Sequence, residues 1–205
     1  MADEWTGNLA ALAREVDSGA VDKDCVKFFI GGPHGSLQVE PDDMQSCLLV
    51  AAGIGVTPMA SILEDRLRAK RAKRAGSEGK VTLIWASRSY DELKAFQYLF
   101  KLAGEFPNDV TIMLYYTGKK DEEGGKGGLE ESLALPNVSL IAGRFDLTSD
   151  DISKAVLPST DAKTSTKIGI YVCGPYGICI DAEEYCAKKL ADGYKTYFHR
   201  ETFDL

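Results

Sequence analysis

Several features that often reveal function are missing from this sequence of 205 residues. No stretch reaches the roughly 18 consecutive apolar residues of a membrane span, and Met1–Thr6 lacks the basic and apolar segments of a secretory leader. The five cysteines contain no Cys-x-x-Cys pair, so no zinc site is predicted, and their odd number favours a reducing compartment. We therefore expect a soluble, cytosol-facing chain without a bound metal.

Positive charge and histidine are also scarce. The 24 Lys and Arg residues against 31 Asp and Glu give a net charge of −7, which argues against a nucleic-acid or anionic-membrane surface but allows a local basic pocket. Neither histidine, His34 or His199, has a suitable triad companion, and Gly-x-Ser-x-Gly is absent. A hydrolase is therefore not predicted.

What the chain does contain is an alternation of short apolar runs with helical patterns. This alternation predicts an α/β fold, a doubly wound and mostly parallel sheet with helices on both faces. The predicted strands are 47–52, 81–86, 110–115, 138–142, 168–173 and 194–199. The predicted helices are 57–70, 90–103, 148–156 and 177–191.

Two regions depart from this alternation. Near the start, the pattern predicts a helix over 6–16 with Thr6 as its N-cap and a strand over 25–30, without enough partner strands for a second complete domain. Residues 117–136 are rich in glycine and charge and poor in apolar side chains. Because such a segment buries too little apolar surface to offset its ordering entropy, we predict a mobile insertion there.

The segment Gly53-Ile54-Gly55-Val56-Thr57-Pro58 follows a predicted strand and opens a predicted helix. Glycines allow positive φ and close backbone approach, so amide N–H groups can point at phosphate oxygens. Thr57 can cap the helix, and Pro58 suits its first turn. We predict that this loop holds the pyrophosphate of a dinucleotide; a tight turn without a ligand is the alternative.

Ser87 and Arg88 close the second predicted strand, where the adenosine ribose lies in a doubly wound sheet. An acidic residue there would bind the 2′-hydroxyl of NAD, whereas a guanidinium suits a 2′-phosphate because it can form paired charge-assisted hydrogen bonds. This favours NADPH over NADH. A surface ion pair between Arg88 and Asp91 is the alternative interpretation.

Cys173-Gly174-Pro175 ends the fifth predicted strand on the same sheet edge as the glycine loop. The three motifs are therefore expected to converge on one crevice. A thiol at a strand end can also be a small inert apolar side chain, and that alternative stays open for Cys173.

Together these segments resemble the cytosolic dehydrogenase domain of the NADPH oxidase family, which includes the plant respiratory-burst oxidases and the related ferric reductases of the ferredoxin-NADP reductase superfamily. The resemblance covers nearly the whole chain. It rests on Glu4-Trp5-Thr6-x-x-Leu9, Gly32-Pro33-His34-Gly35, the block Leu49–Leu63, Trp85-Ala86-Ser87-Arg88, Gly143-Arg144-Phe145-Asp146, Val172-Cys173-Gly174-Pro175 and Phe198-His199-Arg200-Glu201-Thr202-Phe203.

The resemblance implies a parent protein in which NADPH gives a hydride to FAD and electrons then pass through haem to oxygen, giving superoxide, or to ferric iron. Residues 1–40 would be the end of the FAD-binding domain with a connector, and 41–205 the NADPH-binding domain. An upstream FAD barrel and a transmembrane haem domain would be its partners, at the cytosolic face of a membrane. Any calcium-sensing region or regulatory partner would lie elsewhere in that parent.

The resemblance also implies roles for single residues. The loop Gly53–Pro58 would hold the pyrophosphate, Ser87 and Arg88 the 2′-phosphate, and Cys173, Gly174 and Pro175 would border the nicotinamide. Phe203 would shield the flavin ring, so Cys173 and Phe203 are the candidate catalytic residues. The remaining candidates for contact with a cofactor are Trp5 and Thr6, at the flavin pyrophosphate, and Arg144.

Two classes of function remain open at this point. The first is an oxidoreductase module that transfers hydride from NADPH to FAD, in an oxidase, a ferric-chelate reductase or a soluble flavin reductase. The second is a nucleotide-binding regulatory module without turnover.

Overall fold

The computed structural model describes residues 2–27, 41–118, 129–157 and 165–202, with only the backbone at 2–6, 42 and 130. The chain divides into two compact units, one of residues 1–36 with 203–205 and the other of residues 37–202. No helix within the described ranges is both long and apolar enough to cross a bilayer.

The first unit contains helix α1 (Ala2–Asp17) and a short 3-10 turn, Lys23–Cys25. Because α1 begins at Ala2, Thr6 lies inside the helix, and the prediction that it is the N-cap is wrong. A strand is predicted over 25–30, but residues 25–27 do not form one, so this part of the prediction is wrong. Asp22 instead accepts a hydrogen bond from the Asp24 N–H at 3.0 Å, which stabilises a turn. Residues 28–30 lie outside the described part.

The second unit is built on six parallel strands in the order β4-β3-β2-β1-β5-β6. The strands are β1 (Ser46–Ala52), β2 (Lys80–Ser87), β3 (Val110–Tyr116), β4 (Val138–Ala142), β5 (Lys167–Cys173) and β6 (Lys195–Glu201). The crossover helices are α2 (Val56–Arg71), α3 (Tyr90–Ala95), α4 (Gln97–Ala103), α5 (Glu130–Leu133), α6 (Asp150–Val156) and α7 (Tyr176–Ala191). The doubly wound parallel α/β fold is confirmed.

The two faces of this sheet bury separate apolar clusters. On one face, side chains such as Leu49, Leu83 and Ile112 pack with α2 and α4; on the other, Val50 and Ile170 pack with α6 and α7. The four inner strands, β1, β2, β3 and β5, are almost fully buried. Such strands read as continuous apolar runs, which is why the sequence predicts them well.

Two details of this unit differ from the predictions. The helix predicted over 90–103 is broken at Phe96, whose ring packs edge-on against Trp85 with centroids 5.4 Å apart. The predicted range of the mobile insertion, 117–136, extends too far at its C-terminal end. Leu129 and Ser132 are buried there, and α5 occupies Glu130–Leu133. Residues 119–128 lie outside the described part.

Candidate functional site

The candidate site lies where the connections of the sheet change direction. From β1 the chain moves to β2 on one side, while β5 flanks β1 on the other. Because all the strands are parallel, the loops after β1, β2 and β5 leave the same edge, and the loops after β1 and β5 diverge into a crevice. The structure thus brings together three of the predicted segments: the glycine loop, Ser87-Arg88 and Cys173-Gly174-Pro175.

The glycine loop is fixed by close backbone packing. Gly53 has a φ of +52°, a conformation that favours glycine. A Cβ on Gly55 would stand 2.2 Å from the carbonyl oxygen of Cys173, so no side chain fits there. The indole Nε1 of buried Trp85 donates to the Gly53 carbonyl at 3.0 Å. Contacts with β5 and β2 therefore set the path of this loop.

The loop leads into α2 in a way that differs from the prediction. Gly53–Gly55 forms a 3-10 turn, and Gly55 stands at the N-cap without a side-chain bond. Thr57 is the second residue of the helix and its hydroxyl donates to the Ile54 carbonyl at 3.0 Å, so the prediction that Thr57 is the N-cap is wrong. Pro58 does lie in the first turn, as predicted.

The surroundings of the loop fit a bound pyrophosphate. The first turn of α2 carries no acidic side chain, so the partial positive charge at its N-terminus is not compensated there. Apart from Gly53 itself and its two chain neighbours, no described residue has a heavy atom within 4 Å of the point where a Cβ of Gly53 would stand, and Ile54 is 71% exposed. The loop is tight towards the sheet and open towards solvent.

At the end of β2, Ser87 and Arg88 have opposite environments. Ser87 is buried, its hydroxyl lies 2.5 Å from Oε2 of Glu92, and it accepts from the Ser89 N–H at 3.0 Å. Arg88 is exposed and forms no ion pair with another described residue. The alternative pairing of Arg88 with Asp91 is not formed, since Asp91 pairs with Lys94 at 3.1 Å.

At the end of β5, Cys173 is buried and borders the glycine loop. Burial raises the pKa of its thiol, and the nearby Cys179 and Glu201 raise that pKa further. The group is therefore a neutral thiol at neutral pH rather than a thiolate nucleophile. Gly174 packs against Ala52, since an added Cβ would lie 3.2 Å from that residue's Cβ, and its carbonyl accepts from Cys179 Sγ at 3.4 Å.

The family of this site is decided by its sequence match. A family model described as the ferric reductase NAD binding domain matches residues 44–187, which include the five strands β1 to β5. The chain belongs to this family. Members of this family are NAD-binding domains.

Curated relatives of this ferric reductase NAD-binding domain are longer proteins. NADPH oxidase 4 of Rattus norvegicus is 29% identical over 86% of the chain, which spans 30% of that protein. Dual oxidase 1 of Sus scrofa is 27% identical over 90% of the chain and 13% of its own length. NADH-cytochrome b5 reductase 1 of Ajellomyces capsulatus is 25% identical over 84% of the chain and 50% of its own length. The chain thus spans half or less of these three relatives.

Two solved structures resemble the domain more loosely. Flavohemoglobin from Malassezia yamatoensis gives a TM-score of 0.48 with 22% identity, over 80% of this chain and 33% of that chain. The cytochrome b5 reductase domain of Ulva prolifera nitrate reductase gives a TM-score of 0.49 with 16% identity, over 76% of this chain and 50% of that one.

Four candidate residues remain: Arg144, Trp5, Thr6 and Phe203. Arg144 is exposed after β4, an edge strand that β3 and β2 separate from β1. Trp5 and Thr6 belong to α1 in the first unit, and their side chains lie outside the described part. Phe203 is also outside it.

Sequence reasoning missed several side chains around the site of this family member. Trp85 lies in a segment that carries the resemblance, but no sequence pattern predicts that its indole donates to the Gly53 carbonyl. Glu92 was not singled out, although Ser89-Tyr90-Asp91-Glu92 has the spacing of a helix capping box. Glu201 lies opposite Cys173 in the β5–β6 register and contacts His199 Nε2 at 2.9 Å. That register could be known only after the strands were paired.

Proposed function

We propose that the chain binds NADPH along the carboxyl edge of its sheet and presents the nicotinamide to FAD. The observation that carries this proposal is the contact at the crevice, where Gly55 touches the Cys173 carbonyl so closely that no side chain can separate them. Two segments more than a hundred residues apart in sequence thereby form one continuous backbone wall. A backbone surface of this kind, beside a loop that is open to solvent, suits a bound dinucleotide.

The electrostatics of the helix N-termini support an anionic ligand in this crevice. The helices that follow the glycine loop and Cys173-Gly174-Pro175, α2 and α7, have no acidic residue in their first turns. By contrast, α3 and α6 carry acidic pairs there, Asp91 with Glu92 and Asp150 with Asp151. Acidic residues usually compensate the positive end of a helix, so their absence at α2 and α7 leaves that charge for the pyrophosphate.

Arg88 is proposed as the residue that recognises the 2′-phosphate. It is exposed and forms no ion pair with the described residues, so its guanidinium is available to a ligand. A guanidinium can hold a phosphate with two parallel charge-assisted hydrogen bonds. Ser87 contributes by shaping the strand end, because its own hydroxyl is buried and bonded within the protein.

At the other end, Cys173, Gly174 and Pro175 are proposed to border the nicotinamide, which supplies the hydride when it is bound. The raised pKa of the Cys173 thiol keeps this wall uncharged at neutral pH. An uncharged wall favours close packing of a planar ring without adding a competing nucleophile. Phe203 is proposed to stack on the flavin, Trp5 and Thr6 to lie near its pyrophosphate, and Arg144 to be a further contact.

In the parent protein, the chain would act at the cytosolic face of a membrane with an upstream FAD barrel and a haem domain, so that oxygen is reduced to superoxide. Similarity to NADPH oxidase 4 and dual oxidase 1 supports this choice of parent. A soluble flavin reductase is the second candidate, since NADH-cytochrome b5 reductase 1, named as a reductase and not as an oxidase, is also similar. The upstream sequence separates them, since paired histidines facing each other on apolar helices would indicate haem ligation.

Calorimetry on the chain with NADPH and with NADH tests the cofactor assignment. We expect both to bind and NADPH to bind more tightly. No fall in NADPH affinity on Arg88→Ala would remove the 2′-phosphate role of Arg88, and no binding of either cofactor to the wild type would remove the dinucleotide site. For the enzymatic role, the chain joined to its upstream barrel should reduce an artificial electron acceptor with NADPH; binding of both cofactors without turnover would instead favour a regulatory module.

A further inference from the structure

The end of β2 contains an acidic group as well as a basic one. Ser87 has one hydroxyl hydrogen, and the Oε2 of Glu92 is its nearest acceptor at 2.5 Å, closer than the Ser89 carbonyl at 3.0 Å. The oxygen of the same hydroxyl accepts from the Ser89 N–H. Ser87 therefore links the Glu92 carboxylate to the strand end from which Arg88 projects.

This arrangement modifies an ordinary helix cap. In a capping box, the fourth residue reaches back to the backbone N–H of the N-cap residue, which here would join Glu92 to Ser89. Instead, Ser87 stands between them: it receives the Ser89 N–H and donates to Glu92. Ser89 still accepts from the Asp91 N–H at 3.2 Å, so the helix start is satisfied. The consequence is that the carboxylate is drawn towards the carboxyl end of β2.

A carboxylate at this point acts differently on the two nicotinamide cofactors. It can accept a hydrogen bond from the free 2′-hydroxyl of NADH, the usual role of an acidic residue at the second strand of such folds. It repels a 2′-phosphate, which carries nearly two negative charges. It also keeps the Ser87 hydroxyl hydrogen from that phosphate.

We propose that Glu92 is a specificity-determining residue that weakens the preference of this site for NADPH and lets it accept NADH as well. This inference rests on the proposed function, since it takes the 2′ position to lie at Ser87-Arg88. Arg88 attracts the 2′-phosphate and Glu92 opposes it, so the balance of the two sets the ratio of the affinities.

The test uses the full chain and two probes that carry only the adenosine half of the cofactors, adenosine 2′,5′-bisphosphate and adenosine 5′-monophosphate. The ratio of their dissociation constants is measured by calorimetry for the wild type, Glu92→Gln and Glu92→Ala. Glu92→Gln keeps an acceptor for Ser87 and so preserves the helix cap. Glu92→Ala removes the charge without introducing a new amide.

The matched control is Asp91→Asn. Asp91 is the adjacent acidic residue in the same helical turn, but its carboxylate is directed to Lys94 and is 89% exposed. The control removes the same formal charge from the same helix, so a general change in the surface potential affects it equally. A purely structural role of Glu92 as a cap would lower the melting temperature of Glu92→Ala without changing the ratio of the two probes.

We expect both Glu92 variants to shift the ratio by about fivefold or more in favour of the bisphosphate, and Asp91→Asn to leave it unchanged within about twofold. An unchanged ratio in both Glu92 variants, with both probes still bound, would overturn the role of Glu92 but leave the proposed function intact. An equal shift in Asp91→Asn would also overturn it. If neither probe bound the wild type, the proposed function itself would fail.

Discussion

The ends of β1 and β2 are adjacent in the sheet, but they are shaped by different parts of the chain. After β1, backbone contacts set the geometry: Gly55 lies against the Cys173 carbonyl and the Gly53 carbonyl receives the Trp85 indole. After β2, side chains set it, with Ser87 bonded to Glu92 and Arg88 extending into solvent.

Under the proposed function, this difference assigns separate tasks to the two ends. A pyrophosphate is common to NADPH and NADH, so a backbone-shaped loop binds both alike. The 2′ position is where the cofactors differ, and a site made from side chains can change its preference by single substitutions. Disturbing the first end should therefore reduce the affinity for both cofactors, and disturbing the second should change the ratio between them.

The largest effect is expected from Gly55→Ala. Its methyl group would stand 2.2 Å from a backbone oxygen, which cannot rotate away as a side chain could. We expect at least about 2 kcal/mol loss in the free energy of unfolding and loss of both NADPH and NADH binding. Thermal unfolding measures the loss of stability, and calorimetry measures the loss of cofactor binding.

Gly53→Ala is the matched control. Among the described residues, nothing lies within 4 Å of its added Cβ, and only the φ of +52° opposes the change, at about 1 kcal/mol. If Gly55→Ala were tolerated as well as Gly53→Ala, steric closeness would not be what fixes the loop.

Arg88→Ala should have the next largest effect, and on one cofactor only. Charge-assisted hydrogen bonds to a phosphate contribute about 1.5–3 kcal/mol, so NADPH affinity should fall by about tenfold to a hundredfold. NADH affinity should change by less than about twofold, because Arg88 does not support the fold through an ion pair with the described residues. Parallel titrations measure both, and an equal loss for the two cofactors would contradict a site at the 2′-phosphate.

Trp85→Phe should give a smaller and unselective effect. It removes the hydrogen bond to the Gly53 carbonyl but keeps an aromatic ring beside Phe96. Loss of about 1 kcal/mol of binding free energy would lower the affinities for NADPH and for NADH about fivefold each, so the ratio of the two affinities should stay constant. Phe96→Leu disturbs the same aromatic pair without touching the carbonyl and serves as control. A change in the ratio with Trp85→Phe would show that the two ends are coupled.

The smallest change concerns the Cys173 thiol and its dependence on pH. Burial raises its pKa, so in the folded protein iodoacetamide should label it more slowly at pH 8 than exposed Cys25, and equally fast in denaturant. The folded state keeps the thiol proton to a higher pH than the unfolded chain does. The contribution of the Cys173 thiol to stability is therefore complete below the unfolded pKa of about 8.5 and is lost as the pH rises through the folded pKa. Mass spectrometry of the labelled peptides measures the rates. Equal rates in the folded protein would contradict a neutral, enclosed thiol.

Much of the fold could be predicted because its four inner strands are buried on both faces. Runs such as Leu48–Ala51 and Ile170–Cys173 carry apolar residues that both sides of the sheet require, and the glycine loop follows one of them directly. The break at Phe96 could not be predicted, since no local pattern marks it and the Phe96 ring packs against Trp85, which lies on a different element. The turn at Cys25 was missed because a local bond between Asp22 and Asp24 outweighs a short apolar pattern.

By itself, the sequence determined the fold class, the glycine loop at a strand end and the basic residue after β2, because apolar periodicity and turn chemistry are local properties of a chain. Only the tertiary structure decided what surrounds them. Pairing β1 with β5 brought Cys173 against Gly55, and the turn after β2 directed Glu92 to Ser87. Such contacts depend on register and rotamer, which are fixed when the elements pack and which no single segment encodes.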